Sequence, residues 1–191
     1  MDVKVSGVVL LSRKAFVNEH FGEGAWDRVL STLSEEDRTF YNSLLIHSGW
    51  YPFDAGERLD KAIVDVLGKG NSQVFEEIGA KSARENLSGV HKAFMTPGNP
   101  QAFLAQSGMI YKFYYNTGTR KYEPTGPASG TITTEGAETF SLADCLTIVG
   151  WHKEALKMCG AKQVRIVETV CRAKSGSCCK YELSWQMQSF S

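Results

Sequence analysis

Apolar residues recur at helical spacing along most of the chain and give way to strand-like patterns near its end. The segment that follows Ser141 has a broad apolar face, and Ser141 with Asp144 three residues later is a pairing typical of helix N-termini. Gly160 follows the last apolar position of this face, as expected where a helix ends. The pattern therefore predicts a capped amphipathic helix between Ser141 and Gly160.

Two runs rich in β-branched and aromatic residues follow this helix. They are Gln163–Arg172 and Cys178–Met187, and the intervening Ala-Lys-Ser-Gly-Ser favours a turn at Ser175-Gly176. Alternate side chains of a strand share a face, so Cys179 is expected to point to the core together with Tyr181, Leu183 and Trp185. We predict a C-terminal β-hairpin here.

The rest of the chain predicts short helices joined by loops. Residues 3–11 form a β-prone run, either an edge strand or an extended lead-in, and residues 14–33 predict two helices broken near Gly22–Gly24. Further helices are expected from the cap residues Ser34, Asp54, Asn71 and Asn99. Residues 121–140, which contain Pro and Gly, predict a loop and one strand.

Together these patterns predict an α+β fold, with a helical N-terminal half packed on a small antiparallel sheet that ends in a β-hairpin. No linker or repeat divides the 191 residues. We therefore expect a single domain over 1–191, with its helical part at about 12–117 and its sheet-containing part at about 121–187.

Composition excludes several classes of function. Lys plus Arg and Asp plus Glu number 21 each, so the chain has no net positive charge that would attract nucleic acid. No apolar run approaches the roughly 20 residues that span a bilayer, and the N-terminus lacks the features of a secretory signal. Five cysteines in a chain of this size fit a reducing compartment, so a cytoplasmic location is expected.

The sequence lacks the usual catalytic signatures. It contains no GxSxG, GxGxxG, P-loop or HExxH motif, and no other arrangement of nucleophile and base stands out. We expect a non-enzymatic module. Its candidate ligand-binding residues, which could line an apolar pocket or simply fill the core, are Phe94, Met109, Tyr111, Phe113, Tyr114 and Trp151.

Cysteines and one histidine are candidate metal ligands. Thiolate and imidazole are the groups that zinc prefers, and Cys171, Cys178 and Cys179 flank the predicted hairpin turn. The number of residues in the turn decides whether Cys171 and Cys179 share a face. His91, near a helix end, could bind zinc or haem iron, or could act as a cation at the helix C-terminus. Buried thiols that behave as small apolar groups are the alternative.

Several stretches resemble a paralogous family of myxobacteria and their relatives. They are Trp50-Tyr51-Pro52-Phe53, the run from Gly79 to Phe94, Tyr114-Tyr115-Asn116-Thr117-Gly118, and the segments around Cys171 and Cys179. The C-terminal pattern also resembles the four-vinyl-reductase-type ligand-binding domain, a group similar in fold to transport-complex subunits of the TRAPP type and to haem nitric-oxide/oxygen-binding domains. The resemblance implies a ligand-binding fold of the NO-signalling and Golgi-transport type, often dimeric, with an apolar cavity between helices and sheet.

The haem-binding branch of this group has two marks in its sequence. The first, Asn-Leu followed by the proximal histidine, is similar to Asn86-Leu87 and His91. The second, Tyr-x-Ser-x-Arg, is not matched, because Arg120 follows Tyr115 by one residue too many. The missing clamp for the haem carboxylates leads us to expect no cofactor.

The leading prediction is therefore a cytoplasmic homodimer, without cofactor, that binds a small apolar ligand or a protein partner as a sensory or scaffold module. A haem- or zinc-dependent gas or redox sensor is the first alternative. An enzyme acting on a tetrapyrrole-like substrate is the second, and it follows from the family resemblance alone.

Overall fold

The computed structural model describes residues 2–187, so the predicted domain limits of 1–191 extend slightly beyond it. The helices are α1 (Gly7–Phe21), α2 (Ala25–Ser31), α3 (Glu35–Asn42), α4 (Phe53–Val66), α5 (Val74–Ser88), α6 (Pro100–Ala105), α7 (Ser107–Tyr111) and α8 (Leu142–Met158). The strands are β1 (Lys4–Ser6), β2 (Trp50–Pro52), β3 (Thr119–Gly126), β4 (Ser129–Glu135), β5 (Ala161–Val170) and β6 (Cys179–Met187).

Four strands form one antiparallel sheet, and two short strands form another. The larger sheet has the order β3-β4-β6-β5, and β1 pairs with β2. The predicted hairpin is β5 and β6, with Ser175 in the left-handed conformation at its turn. The α+β prediction, helices on an antiparallel sheet with a C-terminal hairpin, is confirmed.

Helices α5 and α8 cross at very short range because each has a glycine at the crossing. A β-carbon at Gly79 would lie 2.1 Å from the Thr147 carbonyl oxygen, and one at Gly150 would lie 1.9 Å from that of Glu76. An ion pair between Lys153 and Glu76, with 2.7 Å between Nζ and Oε2, joins the helices beside this contact. The crossing holds α8 against the helical half while its other side packs on the sheet.

The hydrophobic core runs without interruption from the helical half to the sheet. On β6, alternate side chains from Cys179 to Trp185 are buried, as the strand pattern predicts. On α8, Val149, Trp151 and Ala155 are buried in the same core. The long C-terminal helix therefore has neighbours on both sides.

Local signals placed several elements correctly. Ser141 Oγ accepts a hydrogen bond from the Asp144 amide at 3.0 Å, and Asn99 Oδ1 accepts one from Ala102 at 2.9 Å, so both predicted caps are confirmed. Gly22 and Gly24 have φ angles of 78° and 74°, and they separate α1 from α2 as predicted.

Other predictions were wrong. The run 3–11 is a strand over only three residues, because Ser6 Oγ accepts from the Val8 amide and starts α1 at Gly7. The region 121–140 was expected to hold one strand, but it contains the paired strands β3 and β4. Pro124 does not prevent this pairing, because β3 is an edge strand, where a missing amide is tolerated. Asp54 does not cap α4, which begins at Phe53 after Pro52.

No helix within residues 2–187 has the length and apolar character needed to cross a membrane.

Candidate functional site

A row of rings leads from the surface into the core. Successive ring centroids lie 5.0, 5.6, 6.1 and 5.1 Å apart. In order, the rings belong to Phe113, His91, Tyr114, Trp151 and His152. Tyr114 lies in the middle of this row, and a hollow opens on each side of it.

The first hollow, which we call the core cavity, has a volume of about 40 Å³. Its walls come from α1, α5, α7, α8, β3 and the turn after α7. They include Val9, Ile110, Tyr111, Tyr114, Trp151 and His152. The cavity therefore lies where the helical half meets the C-terminal part of the chain.

Several polar groups around the core cavity have no hydrogen-bond partner within residues 2–187. They are Ser107 Oγ, Tyr114 Oη, Arg120 Nη2 and Trp151 Nε1. An unpaired buried polar group costs roughly 1–3 kcal/mol, so a cluster of them is unusual in a protein core. Indole and guanidinium N–H groups only donate, and the cavity is therefore suited to a ligand that carries acceptor oxygens.

Arg120 is held in place around its free Nη2 group. Its Nε donates to Thr134 Oγ1 at 2.9 Å, and its guanidinium lies 4.5 Å from the centre of the Tyr111 ring. These contacts come from the neighbouring strand β4 and from α7. The free Nη2 is thus presented at a fixed position.

His152 is the imidazole that lines the core cavity. It is 4% exposed, and its Nδ1 lies 2.9 Å from the carbonyl oxygen of Ile148, one turn earlier in α8. Burial, with a smaller contribution from the charge of Arg120, lowers the pKa of His152 to about 3. The ring is therefore neutral at physiological pH, with its proton on Nδ1 and its lone pair on Nε2.

The second hollow, the outer groove, has a volume of about 280 Å³. Val8, Trp50, Val90, His91 and Phe113 line it. Burial lowers the pKa of His91, and its ring makes no hydrogen bond to another residue of the described chain. His91 thus faces the outer groove, and Tyr114 separates it from the core cavity.

Beside the core cavity, a buried ion-pair network joins α1, α4 and α8. Arg13 binds Asp60 with two hydrogen bonds of 3.0 and 3.1 Å, and its Nη2 lies 3.8 Å from Asp144. Tyr115 donates to Asp144 at 2.7 Å. Burial raises the pKa of Asp144 to about 6, although Arg13 opposes this shift. The positive charge of Arg13 is thus shared between two buried carboxyl groups, those of Asp60 and Asp144.

A separate cluster, the thiol cluster, lies where α8 meets the hairpin. Its residues are Cys145, Glu168, Cys171 and Cys179, whose ligand atoms all lie within 4.8 Å of one another. The Cys145 sulfur is 3.6 Å from that of Cys171 and 3.9 Å from that of Cys179. Two thiolates bound to one tetrahedral zinc ion lie about 3.8 Å apart, given Zn–S bonds of about 2.3 Å.

The three thiols of the thiol cluster differ in acidity: burial raises the pKa of Cys171, whereas the pKa of Cys179 is lowered. The Cys145 and Cys179 sulfurs share a hydrogen-bond contact in which either can be the donor, and this contact lowers the pKa of Cys179 to about 7 and raises that of Cys145. The Arg172 amide also donates to Cys179, at 3.4 Å. Glu168 Oε1 is buried and has no partner within residues 2–187. The arrangement can hold a metal ion or form a redox-active thiol pair.

The structure separates the predicted ligand-binding residues. Tyr111, Tyr114 and Trp151 line the core cavity, and Phe113 lines the outer groove. The other two do not line either hollow. Phe94 packs against His91 and Phe113, and Met109 is 58% exposed.

The predicted metal ligands are also only partly together. Cys171 and Cys179 belong to the same cluster, so the turn between them leaves both cysteines on one face of the hairpin. Cys178 lies outside the cluster, and His91 faces the outer groove. Sequence reasoning missed Cys145 and Glu168. Cys145 is 26 residues from Cys171 and reaches it only through the packing of α8 on the sheet, so no local spacing points to it.

The sequence matches no protein-family model and no curated protein. Comparison with solved structures does find relatives of the fold. An H-NOX protein from S. oneidensis in the Fe(II)NO state superposes with a TM-score of 0.70 at 12% identity, over 95% of this chain and 99% of that one. An unliganded Fe(II) H-NOX variant from K. algicida gives 0.71 at 13%, over 97% and 98%. A third H-NOX structure, concerned with heme distortion, gives 0.72 at 11%, over 97% of each chain.

This chain therefore has the H-NOX fold. The expected fold of the NO-signalling type is confirmed by these matches. The prediction that no cofactor is involved is wrong, because the proteins that share the fold are described with Fe(II) or heme. The resemblance to a myxobacterial paralogous family stays a prediction.

Proposed function

We propose that this chain is a non-enzymatic sensor domain that takes haem in its core, and that the core cavity marks the place. The observation that carries the proposal is the cluster of unpartnered polar groups at Ser107, Tyr114, Arg120 and Trp151. The likeness of the whole chain to H-NOX structures supports it.

The residues present fit haem chemically. Haem needs an imidazole or similar ligand for iron, an apolar enclosure for the macrocycle, and donors for two carboxylates. Neutral imidazoles lie at two places in the row of rings, aromatic side chains surround the cavity, and the free Arg120 Nη2 is a charge-assisted donor for a carboxylate.

The volume of the cavity sets a condition on this proposal. Pockets for ligands of this size measure about 300–1,000 Å³, far more than about 40 Å³. The rings of Tyr114 and Trp151 would have to turn aside, which would join the core cavity to the outer groove. The Tyr114 hydroxyl and the Trp151 indole N–H lie close to each other, and neither makes a well-formed hydrogen bond to a third group within residues 2–187.

Three of the four unpartnered polar groups would then bind the ligand. Haem would supply an iron atom that can take a diatomic gas as ligand. Arg120, Ser107 and Trp151 would donate to the carboxylates or to the gas, and the apolar walls would exclude water. Arg13, Asp60 and Asp144 would fix α1, α4 and α8 around the site.

A haem titration tests the proposal. The purified chain is titrated with haemin, reduced, and followed by its absorption spectrum, and Arg120→Ala is compared with Arg165→Ala at an exposed position on β5. We expect one haem per chain, with weaker binding in Arg120→Ala and unchanged binding in Arg165→Ala. Absence of a specific, stoichiometric complex in the wild-type chain would contradict the proposal.

A second candidate function is zinc-dependent redox sensing by the thiol cluster. The match between the sulfur separations and tetrahedral zinc geometry favours it, as does the unpartnered Glu168 carboxylate. Three thiolates and one carboxylate would complete the usual four ligands. A peroxide that oxidises one thiolate to a sulfenic acid, and is itself reduced to water or an alcohol, would remove a ligand and release the ion.

Metal analysis tests this second function. We expect one zinc per chain after purification with zinc in the medium, and loss of that zinc on Cys179→Ser. Cys178→Ser, which changes a neighbouring thiol outside the cluster, should retain the metal. Equal zinc content in both variants would contradict the assignment.

We also propose that the sensor works in the cytoplasm as a homodimer. Trp50, Val90 and Phe113 at the rim of the outer groove are exposed apolar side chains, which are common at protein interfaces. Native mass spectrometry across a dilution series would show a dimer if this is correct, and a monomer at all concentrations if it is not.

A further inference from the structure

Arg120 carries a positive charge that forms no ion pair with a carboxylate of the described chain. The other guanidinium beside the core cavity, that of Arg13, binds Asp60 and lies 3.8 Å from Asp144. Arg120 instead donates from Nε to a neutral hydroxyl, that of Thr134, and its Nη2 is buried without a partner. Within residues 2–187, the cavity walls include both arginines and no Asp or Glu. The cavity therefore borders a cation that has no directly bound counterion.

Three more donors around the core cavity are buried and lack a partner within residues 2–187. Ser107 Oγ is one, and Tyr114 Oη and Trp151 Nε1, which lie close to each other, are the others. A phenol oxygen that accepts from an indole N–H still has its own O–H to donate. These three residues are at most 8% exposed, so bulk solvent does not satisfy their polar groups.

The size of the core cavity suits a single small ion. Roughly 10–15 Å³ is enough for one water molecule, and a chloride or bromide ion is only slightly larger than water. A volume of about 40 Å³ therefore admits one such ion while Tyr114 and Trp151 keep their positions. No ring has to move for this ligand.

An anion suits the donors of this cavity better than water does. A water molecule has two protons of its own that need acceptors, whereas a halide ion only accepts, and guanidinium and indole N–H groups only donate. His152, which also lines the cavity, is neutral at physiological pH because burial lowers its pKa. The charge that a ligand meets is therefore that of Arg120.

We propose that the core cavity of the haem-free chain binds one small monovalent anion of the halide class, held by Arg120, Ser107 and the Tyr114 hydroxyl. Burial removes the hydration of an ion, and this cost is smaller for one charge than for two. Charge-assisted hydrogen bonds from a guanidinium offset that cost. The site goes beyond the haem proposal, since it needs neither a cofactor nor a movement of the rings.

Crystallography with bromide locates the anion. Crystals of the full, haem-free chain are grown in sodium bromide, and the bromide ions are found by their anomalous scattering. We expect a peak in the core cavity, within hydrogen-bond distance of Arg120 and Ser107. A cavity that holds only water under these conditions would overturn the proposal.

Chlorine NMR line broadening measures binding of chloride in solution. Arg120→Ala removes the positive charge and should weaken binding about tenfold or more, as expected for the loss of a hydrogen bond to a charged group. Ser107→Ala should also weaken binding, and it should leave the fold intact because the serine hydroxyl has no hydrogen bond to lose within residues 2–187. The matched controls are Arg165→Ala and Ser184→Ala, at exposed positions of the sheet, and both should bind chloride as the wild-type chain does.

The outcomes separate this inference from the haem proposal. Unchanged chloride affinity in Arg120→Ala and Ser107→Ala, with circular dichroism showing both variants folded, would overturn the anion site. If Arg120→Ala does not fold, Ser107→Ala and the bromide peak decide. A chain that takes up haem but no anion retains the haem proposal and loses this one, and a chain that binds the anion but no haem does the reverse.

Discussion

Tyr114 is the residue on which access to the core depends. Its ring contacts both His91 and Trp151, and its hydroxyl is buried without a partner. Burial raises the pKa of Tyr114 above the usable pH range, so the group stays a neutral phenol. A side chain that fills space well but leaves a polar atom unpaired is a natural candidate to move when a ligand enters.

Tyr114→Phe should therefore stabilise the ligand-free protein. Removal of an unpaired buried hydroxyl is expected to raise the free energy of unfolding by up to about 1 kcal/mol, measured by urea denaturation. Tyr181→Phe is the matched control, because its hydroxyl is also buried and unpartnered but does not line the core cavity. Both variants should gain stability, and only Tyr114→Phe should bind haem more weakly.

Tyr41→Phe provides the opposite control. Its hydroxyl donates to the Ala55 carbonyl at 2.9 Å, so its removal should cost about 1 kcal/mol. A loss of similar size in Tyr114→Phe would mean that the Tyr114 hydroxyl is hydrogen-bonded in solution, which contradicts the unpaired group described above.

At the scale of elements, the crossing of α5 and α8 positions the site. Gly150→Ala would place a methyl group against the Glu76 carbonyl oxygen, which belongs to rigid helix backbone. We expect it to lower the free energy of unfolding by about 3 kcal/mol, because the two helices must move apart. Thermal unfolding followed by circular dichroism measures the change.

Gly56→Ala is the control for this prediction. A β-carbon there would meet only the end of the flexible Leu10 side chain, at 3.2 Å, and the gain in helix propensity opposes that crowding. Its stability should change by less than about 1 kcal/mol. Equal effects of the two substitutions would show that the crossing tolerates an added methyl group.

An ion pair between buried Asp37 on α3 and half-exposed Arg58 on α4 predicts a pH dependence. Asp37 accepts hydrogen bonds of 2.7 and 2.8 Å from Arg58, and these contacts lower the pKa of Asp37. The unfolded chain then binds a proton at higher pH than the folded chain does. The ion pair therefore stabilises the fold above the ordinary pKa of 3.8, and its contribution disappears as the pH falls through the lowered value.

Asp37→Asn should cost up to about 1 kcal/mol at pH 7, since Arg58 is half exposed and solvent weakens the pair. The difference from the wild-type chain should shrink in acid, as measured by urea denaturation at several pH values. Asp54→Asn, which removes a more exposed contact with the same arginine, should change stability little. A constant difference between wild type and Asp37→Asn from neutral pH into acid would contradict this assignment.

Elements with strong local signals could be predicted from sequence, and the site could be predicted only in part: Tyr111, Tyr114 and Trp151 line the core cavity as expected, whereas His152 and Arg120 were missed. Ser141 and Asn99 are helix caps whose hydrogen-bond partners lie three residues later, so the local sequence is enough to predict them. The hairpin of β3 and β4 was missed because its proline lies on an edge strand, and that position depends on the order of the sheet. Cys145 meets Cys171 only through packing between elements distant in sequence.

At the scale of the whole molecule, the fold is shared with H-NOX proteins over nearly the full length at about one identical residue in eight. Such a likeness fixes the arrangement of helices and sheet. Within residues 2–187, the core holds an imidazole on α8, a tyrosine between two hollows and a thiol cluster at the hairpin.

Zinc should stabilise the whole fold if the thiol cluster binds it. An ion that binds only the folded chain adds about 2.7 kcal/mol at a hundredfold excess over its dissociation constant, which raises the melting temperature by roughly 5–10 °C for a protein of this size. Scanning calorimetry with zinc and with a chelator measures this shift. Cys178→Ser should show the full shift, and an equal shift in Cys179→Ser would contradict the proposed ligand set.

Native mass spectrometry of the full chain, expressed with an ample supply of haem, tests the haem proposal most directly, with an absorption spectrum of the same sample. We predict a mass excess of one haem per chain and the spectrum of imidazole-ligated iron. A chain without haem, and without absorption from haem after direct reconstitution, would contradict the central claim that the core of this H-NOX fold holds haem.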